Sequence, residues 1–271
     1  MEEEHMPAAG AGTGSKERAR RCGFAVWLHG LGDCGGANEF IADHFSAAAF
    51  SDTRWGFPTA PTAPVTCNGG ALMPSWFDIH DAPPITSKSV RGEEDVLRAV
   101  QTVHAMIDKE IAAGTNPEDV FVLGLSQGGA LSIASVVTYP KTLGGCAVFS
   151  GFLPFNSSSF AARVTDDAKK TPVLWLHGAA DSLIPVQEGR DGVKFLRGLG
   201  MTFEFKAYDM LGHTLAPYEL EYCQRWASEN ILNEHGEGQE LKKVAFRGAS
   251  SSPESSTASP ISRCFSCIKT L

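Results

Sequence analysis

Short apolar runs alternate with longer helical stretches between about residues 21 and 234. Runs that are rich in β-branched and aromatic residues, with no polar alternation, are typical of strands covered on both faces of a sheet. The chain contains six such runs, at residues 24–28, 54–57, 120–125, 144–151, 172–177 and 203–208. We therefore predict six buried strands.

Helical periodicity fills the intervals between these strands. It is clearest at 93–114, where one face is apolar and Gly114 ends the pattern. The members of this apolar stripe are Val96, Val100, Val103, Ile107 and Ile111. Further helices are predicted at 128–139, 189–199 and 216–231.

This order of elements predicts an α/β fold with a mostly parallel central sheet and helices on both of its faces. We expect one domain at 22–233, preceded by a disordered tail at 1–21. A low-complexity tail at 234–271 follows, in which Ser, Gly and charged residues predominate. The interval of about 20 residues between 151 and 172 is too short for a large cap domain.

Composition excludes several classes of protein. The chain has 271 residues, of which 43% are hydrophobic and 20% charged, so disorder over the whole length is excluded. The formal net charge is −8, from 31 acidic and 23 basic residues. An excess of acid argues against nucleic acid as a partner, because binding to its backbone needs a dense basic face.

The sequence also predicts where the protein works. No secretory signal and no apolar stretch of the ~18 residues that span a membrane is present, so we expect a cytoplasmic protein. Five cysteines are expected to be free thiols there, namely Cys22, Cys34, Cys67, Cys146 and Cys223. No cysteine pair with metal-type spacing has a histidine nearby, and we predict no metal site.

The C-terminal tail carries two further cysteines, Cys264 and Cys267, which flank Phe265. The simplest interpretation is a frayed end. The alternative is reversible S-acylation of the two thiols, assisted by Arg263 and Lys269, with transient membrane contact.

The strongest chemical signal is the run Gly124-Leu125-Ser126-Gln127-Gly128, between a predicted strand and a predicted helix. G-x-S-x-G in this context is typical of a tight turn that exposes a nucleophilic serine at a helix N-terminus. The alternative is an ordinary Gly–Ser turn at a helix start. We predict that Ser126 is a nucleophile.

A nucleophilic serine needs a base and an orienting acid, which follow it in the chain order Ser, Asp, His in this fold class. Asp181 lies just after a predicted strand, and His213 follows the next one. We predict these two as acid and base, with Asp209 as an alternative acid. His29 and His177 precede glycines at strand ends and are interpreted as structural.

The loop His29–Asp33 follows the first predicted strand. In this architecture such a loop supplies one backbone N–H to the oxyanion hole, and the residue after the nucleophile supplies another. We assign these two donors to Leu31 and Gln127.

Several motifs occur together and in order: HGLGD at 29–33, PSWFDI at 74–79, GLSQGGAL at 124–131 and GH at 212–213. Together they resemble the acyl-protein thioesterase and small carboxylesterase family of α/β-hydrolases. Residues 114–131 are also similar to a group of plant carboxylesterases in that family, named for suppressing effector-elicited resistance. The resemblance covers about 22–233.

This resemblance implies a serine hydrolase that forms an acyl-serine intermediate and needs no cofactor. The substrate is expected to be a small ester, including short-acyl or acetyl esters. The alternatives are an acyl-protein thioesterase acting on S-palmitoylated proteins, and a ligand receptor that reuses the fold. The residues that the resemblance implies for the acyl pocket are Leu72, Met73, Trp76 and Phe77, with Phe152 and Leu183 opposite. Trp76 and Phe77 have an alternative role as core aromatics.

Overall fold

A computed structural model of the chain describes residues 22–155 and 158–233. Within them, six strands form one parallel sheet in the order β2-β1-β5-β6-β7-β8. These strands are β1 (Phe24–Leu28), β2 (Arg54–Gly56), β5 (Val120–Leu125), β6 (Gly145–Phe149), β7 (Val173–Gly178) and β8 (Phe203–Tyr208). The predicted parallel sheet is confirmed, but the prediction that all six strands are buried is wrong for β2 and β8, which lie at the two edges of the sheet and are only partly buried. The tails at 1–21 and 234–271, with Cys264 and Cys267, lie outside the described residues.

Strand β1 illustrates why the strands are apolar without alternation. All five of its residues are buried. Val26 and Leu28 pack into the core on one face of the sheet, whereas Ala25 and Trp27 pack into the core on the other. Because neither face contacts water, a polar residue at either parity would lose its hydration.

Helices cover both faces, as predicted. Helices α1 (Glu93–Ala112), α2 (Gln127–Thr138) and α4 (Val186–Gly198) pack on one face. Helix α5 (Pro217–Asn233) and a 3-10 helix at Gly36–His44 pack on the other. These helices bury the stripes that their sequence periodicity indicates.

Helix α4 begins three residues before the predicted start at 189. The sequence pattern places a break at Gly189, but this residue lies inside the helix. A Cβ at Gly189 would lie 2.9 Å from both His177 Nδ1 and Trp175 Nε1. The glycine is therefore required by close packing of the helix on β7.

One feature that the sequence did not predict is an antiparallel hairpin, formed by β3 (Thr62–Val65) and β4 (Ala71–Pro74). Gly69 and Gly70 at its tip have φ of +66° and +79°, a conformation that glycine adopts readily. The hairpin is mostly exposed, so its strands carry no buried apolar run. The hairpin contacts the loop after β1 through Gly32 N–H, which donates to Pro74 O at 2.9 Å.

The connection between β6 and β7 is short. Its described residues, 150–155 and 158–172, form helix α3 (Ser158–Ala161) and a 3-10 turn at Ala168–Lys170. These elements leave no room for a large cap domain. No helix in the described ranges is both long and apolar enough to cross a membrane.

Candidate active site

Ser126 lies between the last residue of β5 and the first residue of α2. Its backbone has φ +58° and ψ −120°, a region that residues other than glycine rarely adopt. The Ser126 N–H donates to Phe149 O on the neighbouring strand at 2.9 Å, which stabilises this conformation. The turn places the hydroxyl at the N-terminus of α2, where the helix dipole is positive, and Ser126 lines a cavity there.

The two glycines of the motif are required by the closeness of this turn. A Cβ at Gly128 would lie 2.0 Å from Leu28 O, and one at Gly124 would lie 2.4 Å from Gly128 O. Any side chain at either position would push α2 away from the sheet. The spacing of the motif thus follows from backbone contact between β1, β5 and α2.

Three side chains predicted from separate segments meet at the C-terminal edge of the sheet. His213 Nε2 lies 3.0 Å from Ser126 Oγ, and His213 Nδ1 lies 2.7 Å from Asp181 Oδ2. The other carboxylate oxygen of Asp181 accepts the N–H groups of Leu183 and Ile184, each at 2.8 Å. The side chain of Asp181 is fully buried, whereas that of His213 is 8% exposed.

The topology explains this meeting. Ser126, Asp181 and His213 follow β5, β7 and β8, which are parallel and therefore end at the same edge of the sheet. Asp209, the alternative acid, is exposed at the end of β8. The residue that lies at hydrogen-bond distance from His213 Nδ1 is Asp181.

His29 and His177 lie in the core, where each bonds to the backbone. His29 Nδ1 donates to Gly30 O, and its Nε2 accepts from Ala60 N–H at 2.9 Å. His177 Nε2 donates to Ile184 O at 2.9 Å. Burial lowers the pKa of both histidines, so both remain neutral at physiological pH.

The predicted oxyanion donors lie beside Ser126. Gln127 is the first residue of α2, and neither its N–H nor that of Leu31 donates to another described residue. The loop that carries Leu31 packs on the serine, since a Cβ at Gly30 would lie 3.5 Å from Ser126 Cβ. Two free N–H groups on adjacent segments are suited to bind a negatively charged oxygen.

A narrow cavity opens next to Ser126. It has a volume of about 20 Å³, measured as the space open to the centre of a water molecule. Besides Ser126, its walls are Leu31, Cys67, Ile79, Pro83, Ile85, Phe152, Leu183 and Ile184. The lining is mostly apolar, as the acyl part of an ester requires.

The predicted acyl-pocket residues fall into two groups. Phe152 and Leu183 line this cavity, but Leu72, Met73, Trp76 and Phe77 are not among its lining residues. Leu72 is 72% exposed on the hairpin, whereas Trp76 and Phe77 are buried core residues. The structure therefore agrees with the alternative interpretation of these two aromatics.

Several residues of the cavity wall were missed by the sequence analysis. Cys67, Pro83 and Ile85 lie in irregular segments, where no periodicity indicates which side chain turns inward. Ile184 directly follows Leu183 and could have been included from its position after Asp181.

No group of three metal-ligating side chains comes together within residues 22–155 and 158–233. The five described cysteines are free thiols. Burial raises the pKa of Cys22 to about 12, so this thiol stays protonated.

Comparison with known proteins gives the family. A model of the phospholipase/carboxylesterase family matches residues 15–231. A rice protein (Oryza sativa subsp. japonica) named "probable inactive carboxylesterase" is 74% identical over 229 residues, which are 84% of this chain and 92% of that protein. Acyl-protein thioesterase 1 of Kluyveromyces lactis is 34% identical over 230 residues, 83% of this chain and 99% of that protein.

A solved structure supports the same assignment. The crystal structure of Arabidopsis thaliana SOBER1, a carboxylesterase, matches with a TM-score of 0.74 and 51% sequence identity, covering 77% of this chain and 99% of that chain. The fold, the order of the motifs and these matches agree. The chain belongs to the phospholipase/carboxylesterase family of α/β-hydrolases.

Proposed function

We propose that this protein is a serine carboxylesterase that hydrolyses short-acyl carboxylic esters. The observation that carries this proposal is the continuous contact from Asp181 Oδ2 through His213 to Ser126 Oγ, at 2.7 and 3.0 Å. Such contact is what a nucleophilic serine requires.

In the first half of the reaction, Ser126 Oγ attacks the acyl carbon and its proton passes to His213 Nε2. Asp181 accepts the Nδ1–H of His213, which stabilises the resulting imidazolium. The ester C–O bond then breaks, and His213 returns the proton to the leaving alcohol. In the second half, a water molecule attacks the acyl-serine by the same route, and the acid is released with Ser126 regenerated.

The negative charge of each tetrahedral intermediate needs preorganised donors. We assign them to the N–H groups of Leu31 and Gln127, of which the second lies at the positive end of α2. Loss of one such donor raises the barrier by about 3 kcal/mol in hydrolases of this kind.

The size of the cavity favours a short acyl group. The cavity is narrow and is enclosed by the side chains of Phe152, Leu183 and Ile85. Phe152 and Leu183 in its wall would contact the first carbons of the acyl chain. Contacts from Leu72, Met73, Trp76 and Phe77 to a bound substrate stay a prediction.

Two alternatives are tested with the main proposal. The likeness to a protein named acyl-protein thioesterase favours long-acyl thioesters as a second substrate class. The likeness to a protein named "probable inactive carboxylesterase" raises the possibility of a binding protein, although Ser126, Asp181 and His213 are all within bonding distance here.

The deciding experiment is labelling with a fluorophosphonate probe, which reacts with activated serines, beside a Ser126→Ala control. We expect labelling of the wild type and none of the variant. p-Nitrophenyl esters of two to sixteen carbons then distinguish the substrate classes, with the highest kcat/KM expected at two to four. A maximum at long chains would favour the thioesterase, and an unlabelled wild type would favour the binding protein.

We also propose a cytoplasmic location, which suits the free thiols of the described cysteines. The substrate would be a small ester or an acylated protein. S-acylation of Cys264 and Cys267, with transient membrane contact, is a separate proposal that concerns residues outside the described ranges. Fatty-acid labelling of a Cys264→Ser/Cys267→Ser variant tests it, and labelling equal to that of the wild type would refute it.

A further inference from the structure

One wall of the cavity beside Ser126 is built by an irregular segment, residues 83–89, which we call the wall segment. Pro83 and Ile85 line the cavity, and a 3-10 turn at Ser87–Ser89 follows them. The segment belongs to no sheet and to no α-helix. Its position depends on the burial of Ile85 in the core and on individual hydrogen bonds to neighbouring elements.

Two of these bonds connect the wall segment to the region that carries Asp181 and α4. Ile85 N–H donates to Leu183 O at 2.8 Å. Ser87 N–H donates to Glu188 Oε2, also at 2.8 Å. The first bond uses the backbone, whereas the second depends on the identity of one side chain in the first turn of α4.

A second cavity of about 20 Å³ lies beyond this bond, lined by Ser87, Leu153, Glu188, Asp191 and Gly192. The linings of the two cavities share no residue, but they use neighbouring ones. Ile85 and Phe152 line the first cavity, whereas Ser87 and Leu153 line the second. The wall segment therefore lies between an apolar space beside Ser126 and a more polar space beside α4.

We propose that Glu188 is a specificity-determining residue that limits the length of the acyl chain. Its carboxylate holds the wall segment between the two cavities and keeps the acyl site short. This inference rests on the proposed esterase function. The length of the acyl chain is then limited both by the apolar residues that contact the acyl group and by the half-buried carboxylate of Glu188 on α4.

The chemistry of the contact supports this role. A hydrogen bond from a backbone N–H to a carboxylate is stronger than one between neutral groups, so it suits a segment outside the regular secondary structure. Glu188 is only partly buried, and its removal leaves no large void in the core. Loss of the bond would let the wall segment move away from α4 and widen the cavity that Pro83 and Ile85 line.

The test compares Glu188→Ala, Glu188→Gln and the wild type on p-nitrophenyl acetate and octanoate. In Glu188→Ala we expect the ratio of kcat/KM for octanoate to that for acetate to rise about tenfold, through a lower KM for octanoate. Glu188→Gln keeps an acceptor for Ser87 N–H and should change the ratio much less. Glu94→Ala, which removes an exposed acid from α1, serves as the control and should leave the ratio unchanged.

Hydrogen exchange of the peptide 83–89 gives a readout independent of turnover. Faster exchange in Glu188→Ala, together with the raised ratio, supports the proposal. Unchanged exchange, or faster exchange with an unchanged ratio, overturns it. A wild type that hydrolyses no ester would refute the proposed function and the specificity role together, whereas its exchange data would still report whether Glu188 holds the segment.

Discussion

Gln127 holds the backbone of Trp76 through a buried hydrogen bond, in which Gln127 Oε1 accepts the Trp76 N–H at 3.0 Å. Nε2 of the same side chain donates to Ser75 Oγ at 3.0 Å and to Phe77 O at 2.7 Å. Gln127 directly follows Ser126. One side chain therefore connects the start of α2 to the segment after the hairpin, and it also fixes the residue whose N–H we assign to the oxyanion hole.

We expect Gln127→Ala to lower the free energy of unfolding by about 3 kcal/mol. The variant leaves the N–H of Trp76 buried without its acceptor, and it removes one donor each from Ser75 Oγ and from Phe77 O, which keeps the Ser75 hydroxyl as a donor. Urea denaturation measures the loss, with Gln101→Ala on the exposed face of α1 as the control. A loss below about 1 kcal/mol would mean that water replaces the side chain.

Gly128→Ala tests the close approach of α2 to β1. A Cβ at this position would lie 2.0 Å from Leu28 O and 2.6 Å from His29 O. We expect a loss of more than about 4 kcal/mol, or no folded protein. In Gly198→Ala, where no atom lies within 4 Å of the new Cβ, stability should rise by up to about 1 kcal/mol. Thermal unfolding followed by circular dichroism compares the two, and equal melting temperatures would contradict this account.

Asp181→Asn tests the assignment of the acid. The asparagine amide no longer holds the His213 imidazole in the tautomer that carries its proton on Nδ1. We therefore expect kcat to fall about 10⁴-fold while the fold is retained. Asp209→Asn, in the same loop as His213 but exposed, should change kcat less than twofold. Steady-state kinetics on p-nitrophenyl acetate measures both. The reverse order of effects would transfer the role to Asp209.

Glu219 predicts a loss of stability as the pH rises from 4.5 to about 8. Its side chain is buried, Oε2 accepts the Ala216 N–H at 2.9 Å, and Oε1 has no partner among the described residues. Burial raises the pKa of the Glu219 carboxyl from its ordinary 4.5 to about 8. Because the folded state keeps a proton that the unfolded chain releases, this contribution to stability is complete below pH 4.5 and is lost as the pH rises to about 8.

The buried histidines lower the stability of the folded state at acidic pH, which is opposite to the effect of Glu219. Burial lowers the pKa of His29, His104 and His177 below the ordinary 6.5. The unfolded chain therefore binds more protons below that pH, and stability falls as the solution becomes acidic. The two effects oppose each other below pH 6.5, whereas above it only the Glu219 contribution continues to change, falling until about pH 8.

Glu219→Gln separates these contributions. The glutamine oxygen still accepts the Ala216 N–H but carries no charge. The wild type should lose up to about 1.4 kcal/mol of stability per pH unit from this one group between pH 4.5 and about 8, and we expect the variant to lack that loss. Urea denaturation at several pH values from 5 to 8.5 measures this. Parallel curves for the two proteins would exclude Glu219 as the cause.

The sheet and the serine turn could be predicted because their causes leave regular patterns in the sequence. Strand β5 lies between two covered faces, so each of its residues had to be small or apolar. Gly124 is required by its contact with Gly128 O, and Gly128 by its contact with Leu28 O on β1. These constraints appear in the sequence as runs and fixed spacings.

The hairpin and the cavity wall could not be predicted, because their causes are contacts between distant residues. Strand β3 is mostly exposed and contains Pro64, so it carries no strand signal. Trp76 was expected at the acyl group from likeness alone, but its Nε1–H donates to His29 O in the core. Ile85 reaches the cavity because its own N–H donates to Leu183 O, about 100 residues further along the chain.

The sequence by itself determined the fold class, the position of Ser126 and the candidates for its partners. Only the tertiary structure decided which acid lies beside His213. Asp181 and Asp209 both follow strands that end at one edge of the sheet, and the sequence favoured Asp181 only because Asp209 is so close to His213 in the chain. The Asp181 side chain is buried between β7 and the turn at Leu183, with Oδ2 2.7 Å from His213 Nδ1. Asp209 remains in solvent, because the position of a side chain at a strand end depends on its neighbours in space.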